Sequence, residues 1–99
     1  MTDPQLTLGV EEEYLLVDRD TRALAVDPPD ELMKECEDRL GVQVATELLR
    51  SQIEIGTSVC QNVQEVRDEL VRLRGNIKEV ANQYGLEPIA ASTHPFSRW

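Results

Sequence analysis

Basic residues are scarce. The 99-residue sequence has 10 Lys and Arg against 19 Asp and Glu, a formal charge of −9. A duplex-binding protein gains affinity by placing Lys and Arg on phosphates and releasing counterions, so this balance argues against nucleic acid as a partner. Long apolar runs are missing too. None approaches the ~18 to 20 residues of a membrane span, and the start, Met1-Thr2-Asp3-Pro4, lacks the basic n-region of a secretory signal. The expectation is a cytoplasmic protein without membrane association. Cysteine is reduced to Cys36 and Cys60, with neither C-x-x-C spacing nor a secreted context, which predicts reduced, structural thiols. Gly9, Gly41, Gly56, Gly75 and Gly85 are scattered singly, so no glycine loop cradles a phosphate. Repeats, low-complexity tracts and linkers are absent as well.

What is present suffices for a small core. Leu, Ile, Val and Phe total 27 of 99 residues, above the roughly 20% below which charged chains stay disordered. The length fits one domain or a piece of one. Folding at this size buries only roughly 60 to 65% of the unfolded surface, so stability is modest unless another chain or segment covers part of the apolar face.

From Leu6 to Val17, Leu6, Leu8, Val10, Tyr14 and Leu16 share one parity, interrupted only by Glu12, as in a half-buried strand. Asp18-Arg19-Asp20-Thr21 reads as a turn, and Ala23 to Val26 as a returning antiparallel strand. Asp27-Pro28-Pro29-Asp30 stops that strand and opens an acidic helix start, with Leu32, Met33, Cys36 and Leu40 on one face and Gly41 at its end. Val44 to Val59 contains a further extended stretch, Ile53, Ile55, Thr57 and Val59 facing one way and Gln52 and Glu54 the other. Asn62 and Glu65 form a capping pair ahead of Val63, Val66, Leu70, Leu73, Ile77, Val80 and Tyr84, which recur at helical steps. Gly85 then ends the helix, and Leu86 to Ser92 reads as a last strand. The predicted order is strand, strand, helix, strand, helix, strand, an α+β arrangement.

Three adjacent carboxylates, Glu11-Glu12-Glu13, occupy strand positions that residues of high β propensity would normally take. Alternation sets Glu11 and Glu13 side by side, Cβ atoms about 7 Å apart, where like charges repel unless a cation lies between them. A hard divalent ion, Mg²⁺ or Mn²⁺, suits carboxylate oxygens and shares its other positions with water and substrate phosphates. A solvated acidic strand face is the plain alternative. Glu54, alone on the polar face of its strand, can complete a cluster of three if that strand neighbours the first. Glu47 lies seven residues earlier, so a regular strand would point it the other way, and it joins only through a bulge or loop.

The segments Leu8-Gly9-Val10-Glu11-Glu12-Glu13-Tyr14, Glu47-Leu48-Leu49-Arg50-Ser51-Gln52-Ile53-Glu54 with Gly56-Thr57, and Ser92-Thr93-His94-Pro95-Phe96 together resemble the type 2 glutamate-cysteine ligases, ATP-dependent carboxylate-amine ligases whose fold is related to glutamine synthetase. The resemblance implies an antiparallel sheet with helices on one face. It implies metal ligands at Glu11, Glu13, Glu47 and Glu54, with Mg²⁺ or Mn²⁺ as cofactor and ATP as co-substrate, and a substrate-pocket role for His94, whose plain alternative is a hydrogen-bonded loop residue. Family members are several times longer, so residues 1–99 correspond to an N-terminal portion of the catalytic domain. The implied reaction joins the γ-carboxylate of glutamate to cysteine or another amine through an acyl phosphate. A non-catalytic acidic module that binds a cation or partner chain is the alternative from a different class. Arg67, Arg74 and Lys78 fall on one side of the long helix and could meet phosphate, although Asp68, Glu69 and Glu79 around them favour a solvated face. Phe96 and Trp99 would be exposed in isolation, which predicts self-association or a missing C-terminal portion.

Overall fold

The computed structural model describes residues 6–47, 49–91 and 93–97. Strand β1 spans Glu11–Asp18, and its consecutive buried residues Tyr14, Leu15, Leu16 and Val17 make it the spine of the sheet. It starts later than the parity of Leu6 and Leu8 predicts. Both of those are exposed, and Leu8 makes only an isolated bridge with Cys60, each backbone N–H donating to the other's carbonyl at 2.8 Å.

After β1 the chain turns on Asp18, whose Oδ1 accepts from the N–H groups of Asp20 and Thr21, both at 2.9 Å. The returning strand predicted over Ala23 to Val26 shrinks to a single bridge, Val17 to Leu24. The cause is competition for one flank. Leu16 donates its N–H to the Ser51 carbonyl and accepts from Ala25 N–H, so the returning arm and the later strand lie end to end along the same side of β1.

Helix α1 covers Asp30–Leu40 and buries Leu32, Cys36 and Leu40, as the spacing predicts. Gly41 ends it at φ 58°, ψ −130°, its N–H donating to the Glu37 carbonyl. Residues with a Cβ are strained there, so Gly41→Ala is expected to lower stability by about 1 to 3 kcal/mol, read from urea unfolding midpoints. A 3-10 turn, Gly41–Gln43, leads into β2, Val44–Thr46, and a loop separates it from β3, Gln52–Gly56. The single extended stretch expected from Val44 to Val59 is therefore two short strands. Helix α2, Val63–Gln83, starts as read: Asn62 Oδ1 accepts from Glu65 N–H at 2.9 Å, and Glu65 Oε2 accepts from Gln61 N–H at 2.6 Å. Strand β4, Leu86–Ile89, closes the sheet and ends before Ser92, which lies outside the described residues.

The sheet is antiparallel throughout, in the order β2-β3-β1-β4. Tyr14, Leu16, Val44, Ile53 and Ile55 point to one face and pack with Leu32, Cys36 and Leu40 of α1 and Leu73, Ile77, Val80 and Ala81 of α2. The architecture is the α+β sheet with helices on one face that the sequence implied. Burial pushes the Cys36 thiol up to about 11, and both cysteines are buried free thiols, which suits packing rather than reactivity. Among the described residues no helix is long and apolar enough to cross a membrane.

Candidate metal centre

Strand pairing decides which acidic residues meet. Val10 accepts from Thr57 N–H, and Leu16 donates to Ser51, so the even-numbered residues of β1 direct their backbone groups toward β3. Glu13 and Glu54, directly opposite in the register, therefore form a non-hydrogen-bonded pair. In such pairs the Cα atoms approach to about 4.5 Å and the side chains are closer than in their hydrogen-bonded neighbours. Both project from the face away from the helices. Glu11 lies opposite Gly56, where its Cγ would stand 3.8 Å from an added Cβ, and Ala45 of β2 lies opposite Glu54 on the other side. Two small neighbours thus leave the acidic face open.

Glu47 reaches this face from the loop after β2, free of strand parity. Carboxylate oxygens of Glu13, Glu47 and Glu54 all lie within 4.8 Å of one another. Glu54 shares protons first with the Glu47 carboxyl and then with Glu11, and these contacts push its pKa up from 4.5 to about 7. The proton belongs to the cluster, since like charges this close cannot all ionise at no cost. Glu11, Glu13, Glu47 and Glu54, the four residues singled out in the sequence, are brought together. The donor set is all carboxylate, which suits a hard cation. A Mg²⁺–oxygen bond of about 2.1 Å sets ligand oxygens about 3 to 4 Å apart, so a small contraction of the cluster would accommodate the ion.

Glu12 stands apart from its neighbours. It points to the helix side, where Arg74 of α2 grips it with Nε to Oε1 at 2.8 Å and Nη2 to Oε2 at 2.5 Å. The Tyr14 hydroxyl donates to the same Oε1 at 2.5 Å. Arg74 holds the Glu12 carboxyl below the usual range, while burial and then the Glu12 carboxylate raise the Tyr14 phenol. Sequence reasoning left Glu12 as an unexplained break in parity and left Arg74 on a solvated face. The signal available was that a carboxylate on a buried face demands a cation, and Arg74 borders the Leu70, Leu73, Ile77 ridge.

Lys78 Nζ is 3.4 Å from Glu87, and Arg67 is exposed. His94 is buried: Nε2 lies 2.8 Å from the Arg22 carbonyl, and Nδ1 accepts from the N–H groups of Phe96 at 3.3 Å and Ser97 at 3.1 Å. Both ring nitrogens are thus committed to backbone, the plain loop role, which ties residues 93–97 to the turn after β1. Phe96 stacks edge-on to the imidazole with centroids 4.3 Å apart and is itself exposed, while Trp99 lies outside the described residues.

Comparison with known proteins shows the family. The family model described as Glutamate-cysteine ligase family 2 matches residues 7–99. Proteins named "Putative glutamate--cysteine ligase 2" are similar along the whole chain. The one from Rhodospirillum rubrum is 50% identical over 103 residues, covering 100% of this chain and 26% of that protein. The Jannaschia sp. protein is 49% identical over 98 residues, 99% of this chain and 26% of its own length. That of Paracoccus denitrificans is 50% identical over 97 residues, 98% of this chain and again 26% of the relative. The chain spans about a quarter of the length of these relatives, aligned with them from end to end, and it belongs to glutamate-cysteine ligase family 2.

Proposed function

We propose that this chain supplies part of the metal site of an ATP-dependent carboxylate-amine ligase. The observation that carries the reading is the convergence of Glu13, Glu47 and Glu54, from three separate segments, on the face the helices leave uncovered. Relatives named as glutamate-cysteine ligases support glutamate and cysteine, or another amine, as the substrates.

In this reading a γ-carboxylate oxygen of glutamate attacks the γ-phosphorus of ATP, and ADP leaves. The amine then attacks the acyl carbon, phosphate departs, and the nitrogen loses its proton to give the amide. No side chain need act as nucleophile. Glu11, Glu13, Glu47 and Glu54 would hold Mg²⁺ or Mn²⁺, which when bound offsets the repulsion between a carboxylate and a triphosphate. Glu54, with its pKa near 7, would release its proton on loading, so uptake of the ion should strengthen as pH rises through that value. His94 would serve the substrate pocket by bracing the 93–97 turn, since neither ring nitrogen is free.

The chain alone is expected to show no ligase turnover, because positioning of nucleotide and acceptor contributes several kcal/mol and most of that machinery would correspond to the three quarters of the relatives' length that the chain does not span. It is also expected to self-associate through its exposed Phe96 and uncovered strand groups. ADP release with glutamate and cysteine, and molar mass by light scattering over a dilution series, check both. Metal-dependent turnover by a 99-residue monomer, abolished by Glu54→Gln, would show that a far smaller site suffices.

A further inference from the structure

The clamp behind the acidic face has a use that follows from the pairing of β1. Strand β3 pairs with Glu11 to Leu15, whereas β4 pairs only with Leu15 to Asp18. Among the described residues, Glu11 to Tyr14 therefore has a strand on one flank alone. A groove of about 420 Å³, lined by Glu12, Tyr14, Arg74, Ile77, Pro88 and Ala90 among others, opens where β4 leaves off. The backbone groups of Glu11 and Glu13 point to that empty flank, because those of the even residues point to β3. Two of the four carboxylates of the candidate site, Glu11 and Glu13, thus sit on residues that make no ladder bonds among the described residues. They are held through Glu12 and Tyr14, the two residues engaged by Arg74.

We infer that Arg74 is a positioning residue for the acidic face. Its planar guanidinium binds both oxygens of Glu12, fixing the carboxylate in orientation as well as position, which an ammonium cannot do. A one-residue slip of β1 would exchange Glu12 for Glu11 and Glu13 on the open face, and the fork opposes that slip. It replaces, from the helix layer, the restraint that a neighbouring strand would supply. This inference rests on the metal reading for its consequence, though not for its structural effect.

The experiment uses the 99-residue chain and two readouts: Mn²⁺ affinity by electron paramagnetic resonance, and hydrogen exchange of the Glu12 and Tyr14 amides, which are bonded to β3, without metal. Arg74→Met keeps the aliphatic stem and helix propensity. It is expected to weaken Mn²⁺ binding about tenfold, the scale seen when a group supporting a metal ligand is removed, and to speed exchange at Glu12 and Tyr14. Arg74→Lys should recover part of both. Lys78→Met, which removes another contact between α2 and the sheet, the 3.4 Å pair with Glu87, should leave both unchanged. A folded Arg74→Met chain with wild-type affinity and exchange overturns the inference, as does an equal loss in Lys78→Met. Should Arg74→Met fail to fold, Arg74→Lys decides: a loss of about threefold supports the fork, and no change overturns it. If the wild-type chain takes up no Mn²⁺, the metal reading falls and exchange alone judges the clamp.

Discussion

Replacing Glu13 and Glu54 together by glutamine is expected to abolish Mn²⁺ binding and, in the metal-free chain at neutral pH, to increase stability. Two carboxylates opposite each other in a non-hydrogen-bonded pair repel, and Glu47 and Glu11 crowd the same space. The strain shows in Glu54, which keeps its proton to about pH 7 when folded against an ordinary value of 4.5. Between those values the folded chain binds more protons than the unfolded one. The contribution of Glu54 to the stability of the metal-free wild type is therefore fully present below about pH 4.5 and is lost as pH rises through about 7. The glutamine pair removes that dependence because neither amide titrates. Mn²⁺ should reverse it for the wild type alone, since an ion that binds only the folded state stabilises by mass action. Urea unfolding from pH 4 to 8, with chelator and with Mn²⁺, checks this. A wild-type chain whose metal-free stability rises from pH 5 to 7 relative to the glutamine pair would contradict the cluster's geometry.

Truncating Leu73 to alanine is expected to remove a large share of the total stability. Leu73 is fully buried on α2, where the helix meets the sheet across Leu16 and Ile53 in one apolar cluster. Buried Leu→Ala changes cost about 2 to 5 kcal/mol, the cavity adding to the lost transfer energy. A domain of this length has roughly 5 to 15 kcal/mol in all. Thermal melts should show a drop of about 8 to 40 °C, since each kcal/mol moves Tm by about 4 to 8 °C at this size. Val71→Ala, on the exposed side of the same helix, should change little. Equal effects from the two would mean that α2 is not seated as described.

The contrast between elements shows what was legible in advance. Helix α2 was readable because its apolar spacing, its Asn62 cap and the Gly85 that follows are all local. Helix α1 was readable for the same reason, from the prolines before it to Gly41 after it. The strand predicted over Ala23 to Val26 was not, because its length depends on β3 arriving from thirty residues away to share one flank of β1. Similarly, nothing local divides Val44 to Val59 in two. That division follows from the loop that lifts Glu47 out of strand parity.

The same distinction holds within the site. By itself the sequence determined that Glu11 and Glu13 share a face and that Glu54 sits opposite the apolar residues of its own strand, since alternation is a property of the extended backbone. It also placed Glu12 on the wrong side for that group. Only the tertiary structure decided that Glu13 faces Glu54 directly, that Glu47 reaches them, and that Arg74 and Tyr14 satisfy Glu12. Register between strands is set by how the buried faces mesh against the helices, and a carboxylate's partner is whichever cation that packing brings within reach. Neither distance exists until the chain has folded.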